Sequence, residues 1–245
     1  MTAFLSEIRD SFLPSRDGAD GPLPPMLVSL TFLTGLVDAF SYLVLGHVFV
    51  ANMTGNVVLL GFALVGARGF SIGSSVVAVA AFVVGSATGG RIGAKFAARR
   101  GHHLASAASV QVIFLAAGLI LAALSTTPLP GGYRYGLIVT LALGMGIQNA
   151  TARKLAVADL TTSVLTMTIT GMAADSALGA NKGAKAGRRL VAVGTMLAGA
   201  VVGGECVVHG HDVYPLVVAM VVALAVAVSA HVLSGSGPSW ETPKG

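Results

Sequence analysis

The chain has 245 residues, of which 54% are hydrophobic and only 10% charged, and its formal net charge is +5. A soluble domain of this length carries roughly 25% charged residues to hold its surface in water, so the composition excludes an ordinary soluble globular domain and makes the lipid bilayer the first partner. The Lys and Arg residues sit in short clusters between apolar runs, the pattern of basic membrane loops rather than of a nucleic-acid face. The single Cys206 excludes an intramolecular disulfide framework and a thiolate metal cluster.

Residues 1–25 lack the basic start and immediate apolar run of a signal peptide. Leu5, Ile8, Phe12 and Leu13 have the spacing of a brief amphipathic turn, but the expectation is a loosely ordered cytoplasmic tail ending in Pro22, Pro24 and Pro25. A spanning helix needs about 20 mostly apolar residues. Six stretches meet this: 26–46, 72–91, 104–124, 134–152, 189–207 and 213–233. Two more, 49–66 and 157–178, open with polar, glycine-broken sequence: Val50-Ala51-Asn52-Met53-Thr54-Gly55-Asn56 and Ala158-Asp159-Leu160-Thr161-Thr162-Ser163. Residues 234–245 are polar and rich in Pro and Gly, and are expected to form a second cytoplasmic tail.

Charge placement decides how the two short stretches are threaded, because cytoplasmic loops hold the Lys/Arg excess. If both enter and leave on the same side, only Arg68 and Arg134 lie outside, and the other 13 of the 15 basic residues lie inside. The predicted fold is therefore all-α: a polytopic transmembrane helix bundle of six full spans plus two re-entrant or broken helices, with both termini cytoplasmic. Residues 26–233 form the transmembrane domain. Its halves, 26–124 and 134–233, are expected to be repeats of opposite orientation. Gly85-Ser-Ala-Thr-Gly89-Gly90-Arg91 corresponds to Gly199-Ala-Val-Val-Gly203-Gly204-Glu205, and Ala51-Asn52-Met53-Thr54 to Ala158-Asp159-Leu160-Thr161.

The glycines Gly85, Gly89 and Gly93, with Gly199 and Gly203, have the small-xxx-small spacing that lets two helix backbones approach closely. Their partners lie either within one chain or across a homodimer. Asp38 sits near the middle of the first span, with Thr34, Ser41 and Tyr42 on its face. A carboxylate at that depth costs roughly 2.5–3.5 kcal/mol on insertion scales, so it is either a proton or cation site or a hydrogen-bonded structural group. Asn52, Thr54 and Asn56 in one half face Asp159 and Thr162 in the other. Paired interruptions of this kind point to a transporter site, although Asp159 would also serve as a plain helix cap. Gln148 and Asn149 are polar lining or interfacial residues. Glu205, Cys206, His209, His211 and Asp212 read as an exposed loop rather than a metal site, and no nucleophile, metal or cofactor constellation suggests an enzyme.

The stretch Thr34-Gly-Leu-Val-Asp-Ala-Phe-Ser-Tyr-Leu-Val-Leu-Gly-His-Val-Phe-Val-Ala-Asn-Met-Thr-Gly-Asn56 resembles the YoaK-like family of bacterial inner-membrane proteins. So does Gly144-Met-Gly-Ile-Gln-Asn-Ala150 with Asp159-Leu-Thr-Thr162 downstream. The resemblance covers roughly residues 26–233. It implies a multi-pass protein of the bacterial inner membrane with no established substrate and no assigned catalytic residues. The leading expectation is a small-solute transporter or channel. In it Asp38, Asn52, Asn56, Asp159 and Thr162 converge near the bilayer midplane, with a homodimer through the glycine ladders as a secondary expectation. The rival is a sensor, scaffold or assembly partner that transports nothing.

Overall fold

The computed structural model describes residues 2–13, 20–97, 99–125, 129–157, 160, 165–175, 186–234 and 240. Among these it is all-helical, with helices α1 (Thr2–Phe12), α2 (Leu23–Val44), α3 (Met53–Leu64), α4 (Ile72–Lys95), α5 (Arg100–Leu124), α6 (Gly131–Leu155), α7 (Leu165–Ala174), α8 (Ala186–Val208) and α9 (Tyr214–Leu233). Five of them, α2, α4, α5, α8 and α9, are long and apolar enough to cross a membrane by length and composition. α6 is as long as α5 but carries Gln148, Asn149, Arg153 and Lys154 in its second half, and is not among the five. α3 and α7, at 12 and 10 residues, are too short to span.

The N-terminal segment differs from the expected loose tail. α1 lays the partly buried Ile8 against the core, and the Glu7 carboxylate accepts the Gly187 N–H at 3.0 Å, at the first turn of α8. α2 also begins earlier than expected, because Pro24 and Pro25 fall in its first turn, where a missing N–H costs nothing.

The ends of the long helices gather into two sets. At one end the Arg100 guanidinium donates to the Leu155 carbonyl and to Asp20, while Trp240 packs on Gly21 and Gly101. This joins the starts of α2 and α5 to the finish of α6. Gly93 lies against His103 and Lys154, which adds the end of α4. Arg91, Lys95, Arg99, Arg153, Lys154, Arg188 and Arg189 all belong to this basic end. At the opposite end Gly46 meets Arg134, Gly69 meets His47 and Gly73 meets Tyr135.

Glycine sets the closest helix pairs. Gly35 of α2 lies against the Met196 carbonyl and 2.7 Å (from where a Cβ would stand) from the Ala200 nitrogen of α8; Gly199 lies against the Phe32 carbonyl, and Gly203 against Leu36 and Ala39. In the same way Gly146 of α6 lies against the Phe82 carbonyl and the Ser86 nitrogen of α4, Gly85 against the Leu143 carbonyl, and Gly89 against Ile147 and Ala150. Without Cβ atoms the backbones touch directly and gain dispersion contacts that lipid tails cannot match. Both pairs are parallel, since residue numbers rise together along each contact. α2 is the central helix, with 67% of its apolar stretch buried against 17% for α8. Outward-facing Val83, Val84, Ile113, Leu197, Val201, Leu224 and Val228 form an apolar exterior that in water would be a large exposed hydrophobic patch.

Candidate functional site

The chain breaks after α2 because Gly46 and His47 both adopt positive φ, +87° and +57°. For His47 this is a strained conformation, held by its ring. Its Nδ1 lies 3.2 Å from the Gly69 carbonyl oxygen, and the ring meets Tyr42 edge-on at 5.1 Å. Residues 48–52 then double back along α2. Phe49 stacks on Tyr42, and the Ala51 N–H donates to the Asp38 carboxylate at 3.3 Å. α3 starts there and returns toward the end it came from, where Phe62 packs against Phe70.

Two amides hold this excursion. Asn56 is fully buried, accepts the Phe49 N–H at 2.9 Å and donates to the Phe49 carbonyl at 2.6 Å. Asn52 caps α3 by accepting the Gly55 N–H at 3.2 Å. Gly55 is required because a Cβ there would strike the Phe49 ring at 2.8 Å.

The first turn of α3 opens onto a cavity of about 970 Å³ between α4, the end of α6 and Met167 of α7. Asn52 and Thr54 of the α3 end, Ser86 of α4, and Asn149, Arg153 and Lys154 of α6 give it its polar groups, and its described lining residues include no carboxylate. The positive end of the α3 helix dipole faces the same space. Amides, hydroxyls, a helix N-terminus and two cations suit a solute that accepts hydrogen bonds.

Of the residues expected to converge, Asn52, Thr54 and Asn149 line this cavity. Asp38 and Asn56 lie beside it and act on the backbone of residues 49–51. Gln148 points elsewhere. It donates to the Thr34 hydroxyl at 2.8 Å and to the Leu30 carbonyl at 3.2 Å, and accepts from the Gln111 amide. Asp159 and Thr162 lie outside the described residues. Gln111, buried in α5, went unremarked in the sequence, although an uncharged amide inside an apolar helix is itself a sign of an interhelical hydrogen bond. Ser86 was equally silent, because a serine in a glycine-rich run reads as packing. Gly85, Gly89, Gly93, Gly199 and Gly203 are all buried against other parts of the same chain. These ladders therefore join helices within one chain.

Residues 26–229 match the family described as "Protein of unknown function (DUF1275)". The chain belongs to that family. It is also 35% identical over 157 residues to UPF0700 transmembrane protein YoaK of Bacillus subtilis (strain 168), a match covering 61% of this chain and 65% of that protein. The chain thus spans just under two thirds of the relative's length. No solved structure matches. The family match covers both the break after α2 and the cavity residues of α4 and α6. With the apolar exterior and the relative's transmembrane description, it makes this family member a multi-pass membrane protein.

Proposed function

We propose that the protein is a small-solute transporter or channel of the bacterial inner membrane, built as an inverted repeat around a polar site near the bilayer midplane. The observation that carries this reading is the broken segment after α2: polar backbone doubling back at membrane depth, with a helix N-terminus opening onto a cavity. Irregular backbone is tolerated at that depth only where it is buried in protein or lines a cavity, and paired interruptions in two halves are the mark of a transport site.

The repeat is supported by the glycine contacts. Phe32, Gly35, Leu36 and Ala39 of α2 make the same kinds of contact with α8, in the same order, as Leu143, Gly146, Ile147 and Ala150 of α6 make with α4. The α2/α8 pair runs opposite to the α4/α6 pair, since the start of α2 meets the finish of α6. On this reading α6 is the sixth span, less apolar because its polar side chains turn inward, and α3 and α7 are the re-entrant pair. The basic end then faces the cytoplasm with both termini.

Asp38 is the proposed coupling group. It lies outside the cavity but grips Ala51, the residue before Asn52, so its protonation would loosen the segment that positions the α3 end. In liposomes, solute flux through the wild type should depend on pH, and Asp38→Asn should flatten that dependence. Unchanged pH-dependent flux in Asp38→Asn would remove Asp38 from the mechanism. A protein that leaves every imposed solute gradient intact would be a scaffold or sensor instead.

A further inference from the structure

A second cavity, of about 420 Å³, lies at the basic end between the last turns of α4 and α6 and the first turn of α5. Three nitrogen-bearing side chains from two helices line it: Arg100, His103 and Lys154. Arg100 is held rigidly, with its side chain 8% exposed, by hydrogen bonds to the Leu155 carbonyl at 2.7 Å and to Asp20 at 3.2 Å. Asp20, which also lines the cavity, offsets that one cation. Lys154 is exposed and makes no ion pair among the described residues.

His103 supplies the independent sign of a ligand. It is 2% exposed, yet its Nε2 has no hydrogen-bond partner among the described residues. A buried polar nitrogen left unmade is costly and calls for an explanation in what it meets. Gly93 is the wall beside it: a Cβ there would come within 3.1 Å of Nε2 and 3.3 Å of the Lys154 Cγ. A side chain at position 93 would therefore take up the space beside both groups, which glycine leaves open.

We infer that this cavity binds a phosphate group, carried either by an anionic phospholipid or by a soluble phosphate. With its proton on Nε2 the neutral imidazole donates one hydrogen bond, the Lys154 ammonium adds a mobile donor, and the fixed guanidinium adds a preorganised one. Phosphate oxygens accept from several directions at once, which suits donors spread over two helices better than a single planar carboxylate does. Basic pockets between transmembrane helices at the cytoplasmic face are where lipid phosphates dock.

The test uses the full-length protein purified in detergent. Native mass spectrometry follows added phosphatidylglycerol against phosphatidylcholine, and thermal unfolding follows inorganic phosphate against chloride at equal ionic strength. Wild type should retain phosphatidylglycerol, or be stabilised by phosphate, or both. His103→Gln and Lys154→Gln should each weaken that binding by about tenfold or more, while Lys95→Gln, outside the cavity, should not. Binding confined to phosphatidylglycerol identifies a lipid site, and binding of inorganic phosphate a soluble one; either supports the inference. No binding of either anion, or equal loss in Lys95→Gln, overturns it. If His103→Gln does not fold, His103→Phe, which fills the same space without a donor, decides the question, because Lys154 also lines the larger cavity. Because His103 is not a lining residue of the larger cavity, a loss in His103→Gln is distinct from any failure of the transport reading.

Discussion

Adding one methyl group to Gly85 or Gly199 tests the packing that both halves share. A Cβ on Gly85 would stand 2.9 Å from the Leu143 carbonyl carbon, and one on Gly199 would stand 3.0 Å from that of Phe32. Ordinary carbon contacts begin near about 3.5 Å, and in each case the carbonyl oxygen lies nearer still, so the two backbones must part by at least about half an ångström. Neither can relieve the clash by rotating a side chain, because the atoms struck are main chain. A gap of that size forfeits about a quarter of the dispersion well for every atom pair it opens, and overpacking of this kind costs roughly 1–3 kcal/mol. Gly90 and Gly194 lie on the same two helices with nothing within 4 Å of the added carbon. Their Ala variants should change stability by no more than about 0.5 kcal/mol. Unfolding in detergent, followed by fluorescence of the single, buried Trp240, measures all four. Equal losses in Gly85→Ala and Gly199→Ala with neutral controls are expected. A Gly90→Ala variant as damaging as Gly85→Ala, or a neutral Gly85→Ala, would refute the close-packing argument and weaken the repeat with it.

Asn56→Leu removes the two hydrogen bonds to Phe49 and orphans a part-buried N–H and carbonyl, at up to about 1–3 kcal/mol each. A loss of about 2–4 kcal/mol in the same unfolding assay is expected, and a loss below about 0.5 kcal/mol would mean that the excursion is held by something else. For the proposed orientation, a membrane-impermeant maleimide should reach native Cys206 from outside intact cells, after partial unfolding if necessary. Ala97→Cys in a Cys206→Ser background should be labelled only from inside. Outside labelling at position 97 would invert the topology.

The helix bundle was legible because long apolar runs admit few alternatives, and the five apolar spans coincide with expected stretches. The N-terminal helix was missed for the opposite reason. An 11-residue amphipathic segment has too little intrinsic stability to declare itself, and α1 stands only because it docks on α2 and α8. At the candidate site the sequence correctly marked the chain break, through Asn52, Gly55 and Asn56, but not what each amide does. Two Asn residues four apart look alike in a sequence. Only the path of residues 48–52 turns one toward the cavity and the other onto Phe49.

That difference narrows where solute chemistry can reside. A backbone that doubles back inside a membrane bundle leaves N–H and carbonyl groups that no helix satisfies, and there is no water in the lipid core to replace them. Asp38 and Asn56 answer that need at Ala51 and Phe49, and Gln148 with Gln111 ties α5, α6 and α2 together in the core. None of these four lines the cavity, so they serve the backbone and the helix contacts rather than a solute. What faces the cavity is a smaller set: Thr54, the end of α3, and Asn52, Ser86 and Asn149, which reach it while also bonding the backbone of Gly55, Gly146 and Met145. Substitutions in this set should change solute affinity while the fold survives. Substitutions at Asn56 or Gln148 should act first on stability, and at Asp38 first on the coupling. A scaffold protein would need the second group of residues but not the first.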